Sequence, residues 1–153
     1  MKVYPAGLDV NEIHPGLWQG SKPPEGSYLA SVGFKVLVLC AKENQPPEKR
    51  FPGLEVIYAP NEDQERPITE RELHIAVKGA RGVTLALQAK RPVLVTCQMG
   101  WNRSGLVSAL ALHMLTGMTG EECIRVVQER RPNALYNVGF LDVLSKLITP
   151  RRT

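Results

Sequence analysis

"PVLVTCQMGWNRSGLV", residues 92–107, passes from a β-branched apolar run through a cysteine and a glycine to an arginine and a second apolar run. "RPVLVTC" (91–97) reads as a buried strand. "SGLVSALALHML" (104–115) is apolar on nearly every face and reads as a central buried helix closed near Gly117. A strand that enters a helix through a short glycine-containing loop offers an anion its backbone N–H groups and the positive end of the helix dipole. Arg103, at the start of that helix, is poorly placed against the dipole unless it faces an anion.

Further from this stretch, "FKVLVLC" (34–40) and "LEVIYA" (54–59) have the composition of buried strands. "EIHPGLWQGS" (12–21), broken by Pro15 and Gly16, reads as one short edge strand. "AKENQPPEKRFPG" (41–53) reads as a surface loop between two strands. Thr69 with Glu72 forms a capping box, and Leu73, Val77, Ala80, Val83 and Leu87 continue at helical spacing. Gly82 costs that helix about 1 kcal/mol against alanine. Thr119 with Glu122 opens another helix, which must stop before Pro132. Asn137 caps a last one, with Phe140 or Leu141, Leu144, and Leu147 or Ile148 facing the core. Strands alternating with helices, then a helical C-terminal third, predict an α/β fold: a mainly parallel sheet of about four to five strands flanked by helices. Ligands of such sheets bind beyond the carboxyl ends of the strands, where Cys97 stands.

The bulk numbers exclude more than they assign. The 153 residues, 43% hydrophobic and 22% charged, predict a single domain over 1–153. A net charge of +4 favours anionic partners but is too weak to argue for nucleic acid. Three cysteines without a C-x-x-C pair make neither a disulfide framework nor a zinc site, and Cys40 and Cys123 read as small packing residues. Residues 1–16 lack the apolar centre of a signal peptide, and no apolar run is long enough to span a bilayer. The expectation is a cytoplasmic protein with no membrane partner. The arginine pairs at 130–131 and 151–152 read as solvated, with the first also capping a helix C-terminus.

A free thiol is only a few per cent thiolate at neutral pH, and lowering a pKa by three units takes about 4 kcal/mol of preferential anion stabilisation. A helix N-terminus, loop N–H groups and a guanidinium supply that stabilisation, and the same donors hold phosphate oxygens. Arginine's planar fork holds two oxygens at once.

At "CQMGWNRSG" (97–105) the sequence resembles the dual-specificity-type members of the cysteine-dependent protein tyrosine phosphatases. "IHPGLWQGS", "GFKVLVLC" and "ERRPNALYNVGFLDVL" extend the resemblance over most of the chain. It implies Cys97 as nucleophile, Arg103 as phosphate ligand and Ser104 as the hydroxyl that assists the thiolate. The substrate cradle it implies is Gln98, Met99, Gly100, Trp101, Asn102 and Arg103. It further implies a general-acid aspartate some thirty-odd residues before the cysteine, and Asp63 in "APNEDQERPIT" (59–69) fits, with Glu62 and Glu65 as competitors. No cofactor and no metal are implied. Thr96 stands where the family usually has histidine, which predicts fewer stabilising contacts for the thiolate. Met99 stands for the usual alanine, and Asn102 for serine or glycine.

The activity so implied is hydrolysis of phosphomonoesters, phosphotyrosine and/or phosphoserine/threonine on a protein or peptide, through a cysteinyl-phosphate. The run Trp101–Asn102–Arg103 also resembles RNA 5′-triphosphatases of the same superfamily, so an RNA 5′ end stays open as substrate; a non-catalytic phosphate-recognition module is the other alternative. Trp101 reads either as a wall of the pocket mouth or as packing beneath the loop.

Overall fold

The computed structural model describes residues 2–148, so the arginine pair 151–152 lies outside the described residues. Five strands, β1 (Val10–His14), β2 (Leu17–Gly20), β3 (Val36–Ala41), β4 (Glu55–Asn61) and β5 (Val93–Thr96), form one sheet in the order β1-β2-β5-β3-β4. β2, β5, β3 and β4 run parallel, and β1 pairs antiparallel with β2. The expected mainly parallel α/β sheet is what forms.

The stretch read as one edge strand is two. Pro15 and Gly16, the latter at φ +84°, make a tight turn, so β1 takes the edge and β2 lies between β1 and β5. The central strands are buried at every residue and covered on both faces, as their unbroken apolar runs require. Val36, Val38, Val93 and Val95 point to one core, shared with α2 (Glu70–Gln88), α3 (Arg103–Thr116), α4 (Gly120–Arg130) and α5 (Val138–Ser145). Leu37, Leu39 and Leu94 point to a second core, closed by Phe34, Phe51 and Leu29 of the short α1 (Tyr28–Ser31).

Both predicted capping boxes form, at Thr69 and at Thr119, and Asn137 accepts the N–H groups of Gly139 and Phe140. Phe140 and Leu144 are buried, whereas Ile148 is exposed. Gly82 has a packing reason: a Cβ there would lie 2.7 Å from Ile57 Cδ1, and one at Gly79 would lie 2.9 Å from Ala59 Cβ. Two missing side chains let α2 settle on β4, which offsets their cost to the helix. The loop 41–53 adds a 3₁₀ turn at Glu48–Arg50. Among the described residues no helix is long and apolar enough to cross a membrane.

Candidate active site

Cys97 follows the last residue of β5, and Arg103 begins α3. The carbonyls of the intervening loop are all held from outside it. Lys22 N–H donates to the Gln98 carbonyl at 3.1 Å, Arg131 Nη2 to Met99 at 3.0 Å, and Leu135 N–H to Trp101 at 3.0 Å. The Gly100 carbonyl takes two donors, Arg131 Nε at 2.7 Å and Gln19 Nε2 at 2.9 Å. In a planar trans peptide the carbonyl and the next N–H point opposite ways. The N–H groups of Met99, Gly100, Trp101 and Asn102 therefore face the other side, where none has a partner among the described residues. An array of free amides of this kind binds an anion.

Gly100, at φ +75°, is obligatory here, because a Cβ would lie 2.6 Å from Ser21 N and against the Gly20 carbonyl. Arg131 stands at the C-cap of α4 as expected, its N–H on the Val127 carbonyl at 2.9 Å. It is buried rather than solvated, however, and its guanidinium turns back to the loop and pairs with Asp9 at 2.9 Å. That guanidinium holds the Asp9 carboxyl below the usual carboxylate range. Arg130 is exposed, as expected.

Cys97 Sγ lies 3.2 Å from Ser104 Oγ and accepts the Ser104 N–H at 3.4 Å. The start of α3 has no side-chain cap, and of its first-turn amides it is the Ser104 N–H that meets the sulfur. Thr96 does not reach the sulfur. Its hydroxyl is buried and donates to the Val38 carbonyl at 2.8 Å, tying β5 to β3.

Arg103 is buried and faces the loop 41–53. Its Nη1 pairs with Glu43 Oε1, its Nη2 with Glu43 Oε2 at 2.9 Å, and Nη1 also donates to the Asn61 carbonyl at 3.0 Å. The guanidinium holds the Glu43 carboxyl below its ordinary range. Among the described residues Arg103 Nε is buried without a partner. Beside it opens a cleft of about 600 Å³ lined by Lys42, Glu43, Glu62, Asp63, Gln64 and Arg103. A cavity of about 630 Å³ lies at the opposite end of the sheet, by His14 and Pro92.

Asp63 reaches this cleft on an exposed segment without regular structure. Its Oδ2 accepts Asn102 Nδ2 at 3.0 Å and its Oδ1 accepts Asn137 Nδ2 at 2.7 Å. The competitor Glu62 instead faces Lys42 and Arg66, at 3.5 and 4.0 Å. The Asn102 side chain turns to Asp63 and leaves only its backbone N–H to the loop. Gln98 and Met99 extend into solvent. Trp101 is half-buried on the loop's far flank, edge-on to Tyr136 with ring centroids 6.1 Å apart, and does not line the Asp63 cleft.

The structure brings Cys97, Ser104, Arg103 and the loop together at the end of β5 and links Asp63 to them through Asn102. Glu43, Gln19 and Asn137 escaped that reading. Glu43 lies 60 positions from Arg103, in a loop whose composition signals only solvent exposure. No local spacing announces such a partner.

The family model described as "Dual specificity phosphatase, catalytic domain" matches residues 17–148. The Arabidopsis thaliana dual specificity protein phosphatase 1B is 27% identical over 147 residues, covering 95% of this chain and 85% of that protein. A solved mouse putative dual specificity phosphatase, complexed with zinc tungstate, superposes with a TM-score of 0.78 at 23% identity, over 95% of this chain and 90% of that one. Human DUSP28 superposes with a TM-score of 0.76 at 26% identity, over 93% and 94%. The family match runs from the first residue of β2 past the end of α5 and takes in the whole cysteine loop, so the chain belongs to the dual specificity phosphatase family.

Proposed function

We propose that the chain is a single catalytic domain that hydrolyses phosphomonoesters on protein or peptide side chains through a cysteinyl-phosphate. The observation that carries this reading is the set of N–H groups at residues 99–102 without a partner among the described residues, on the loop between Cys97 and Arg103, together with the unpartnered Nε of Arg103. Three phosphoryl oxygens find donors there, fixed before the substrate arrives, as charge shifts in transfer require.

In the first step the Cys97 thiolate attacks phosphorus in line with the leaving oxygen. The S–P bond forms, the P–O bond breaks, and Asp63 gives its proton to the departing oxygen. In the second step a water attacks the cysteinyl-phosphate and passes its proton to the Asp63 carboxylate. The S–P bond breaks, and inorganic phosphate and thiolate result. The Ser104 hydroxyl, 3.2 Å from Sγ, donates to the sulfur as its charge returns. Asp63 at the cleft favours this reading over the RNA 5′-triphosphatase alternative, whose resemblance does without such an acid. A cysteine with a donor-lined sulfur favours it over a module that only binds.

Cys97→Ser should lose all measurable turnover of p-nitrophenyl phosphate while inorganic phosphate still binds. Full turnover by that variant would sink the mechanism. Assaying the unaltered chain on phosphopeptides and on triphosphate-ended RNA separates the two substrate readings.

A further inference from the structure

Asn102 occupies the N-cap position of α3 without capping it. An asparagine there ordinarily accepts a first-turn N–H. This one is 1% exposed and spends its side chain on three other partners. Its Oδ1 accepts the N–H groups of Tyr136 and Asn137, both at 2.9 Å, and its Nδ2 donates to Asp63 Oδ2 at 3.0 Å. Two N–H donors on one atom settle which end of the amide is oxygen, so the NH2 end faces the carboxylate. Asn137, fully buried, repeats the pattern. Its Oδ1 caps α5, and its Nδ2 donates to Asp63 Oδ1 at 2.7 Å and to the Gln64 carbonyl at 2.9 Å.

We propose that Asn102 is a positioning residue that fixes the general acid over the phosphate cradle. Its backbone belongs to the cradle and its side chain to the acid, so one residue sets the distance between the attacked phosphorus and the proton donor. The inference rests on the reading of Asp63 as that acid. The segment carrying Asp63 has no helix or strand of its own, and ordering a loop has an entropic cost in each residue. Two buried amides that grip both carboxylate oxygens meet that cost once, in the folded state. Each oxygen keeps a second lone pair for the proton it gives and takes. A serine or glycine at position 102 would be too short to span this gap.

The test compares phenyl phosphate, whose leaving group needs the proton, with p-nitrophenyl phosphate, whose leaving group needs it little. Asn102→Ala removes both the oxygen that takes the Tyr136 and Asn137 N–H groups and the donor to Asp63; Asn102→Ser leaves a hydroxyl too short to reach them. Both variants should lose about tenfold or more in kcat/KM on phenyl phosphate and about twofold or less on p-nitrophenyl phosphate. Inhibition by inorganic phosphate should weaken by no more than about twofold, far less than the loss on phenyl phosphate, and neither substitution should add to the loss in an Asp63→Asn background. Equal losses on the two substrates, with phosphate inhibition weakened as much, would overturn the proposal by placing Asn102 in the cradle alone. If Asp63→Asn itself shows no dependence on the leaving group, it is the acid assignment that fails. Should the Asn102 variants not fold, the side-chain NH2 resonances of Asn102 in the Asp63→Ala protein decide the matter. They should move toward those of a free amide, and unmoved resonances would overturn the bridge.

Discussion

The cradle and the acid segment meet across one cleft, but they are built from different materials. The cradle is backbone: a strand end, a helix start, and carbonyls held behind them by Lys22, Arg131, Gln19 and Leu135. The acid segment is a connection between β4 and α2 whose place is set by side chains. Asn102 and Asn137 hold Asp63, while Arg66 joins Glu72 at 2.7 Å near the start of α2. Damage to the first should weaken every interaction with a phosphoryl group. Damage to the second should appear only when the leaving group needs its proton.

Of the substitutions that separate the two regions, Asp63→Asn should have the largest effect, a fall in kcat/KM on phenyl phosphate of about 10²–10³-fold set by the loss of general acid catalysis. On p-nitrophenyl phosphate the fall should be much smaller. Comparable falls on the two esters would break the division of labour.

Arg131→Met should cost about ten- to hundredfold, and equally on both esters, because it frees the carbonyls that aim two cradle amides. It should also lower stability by about 2–3 kcal/mol in urea unfolding, since charge-assisted hydrogen bonds to buried carbonyls are lost. A leaving-group-dependent loss here would show that the two regions are mechanically coupled.

Glu43→Gln leaves the Arg103 guanidinium without its charged partner, and inorganic phosphate inhibition should change by about tenfold or less. The exposed side of this pair keeps the effect modest. An unchanged inhibition constant would mean that the Asn61 carbonyl alone orients the guanidinium.

The smallest effect concerns Glu72, whose carboxyl the Arg66 guanidinium brings down to about 2. A folded pKa below the unfolded value contributes stability that is present above the unfolded pKa and is lost as pH falls toward the folded one. Glu72→Gln should therefore lower Tm by about 1–3 °C at neutral pH, and the difference should shrink as pH falls from about 4.5 toward 2. A difference that persists at low pH would assign Glu72 a role apart from its charge.

Legibility followed the range of the interactions. The three buried strands, both capping boxes, the glycine stop at Gly117 and the Asn137 cap are local signals, and each was readable within a few residues. The Pro15–Gly16 break was also readable, but its consequence was not. Whether such a break ends a strand or folds it into a hairpin depends on what pairs beside it, here β5. Arg131 misled for a similar reason. An arginine after a helix reads as solvated until a distant carboxylate and two loop carbonyls turn toward it.

By itself the sequence determined the α/β alternation, the strand–loop–helix around Cys97, and the inventory of cysteine, arginine, serine and aspartate. The first two follow from periodicity, propensity and spacing, all of which act along the chain, and the inventory from the family resemblance of the cysteine motif. Only the tertiary structure decided how the parts face one another. It set Glu43 against Arg103, turned Arg131 to the back of the loop, sent the Thr96 hydroxyl to β3, and joined Asn102 to Asp63 across 39 positions. Burial is the physical reason: once these polar groups leave water each must find a partner, and the nearest one in space is far away in sequence.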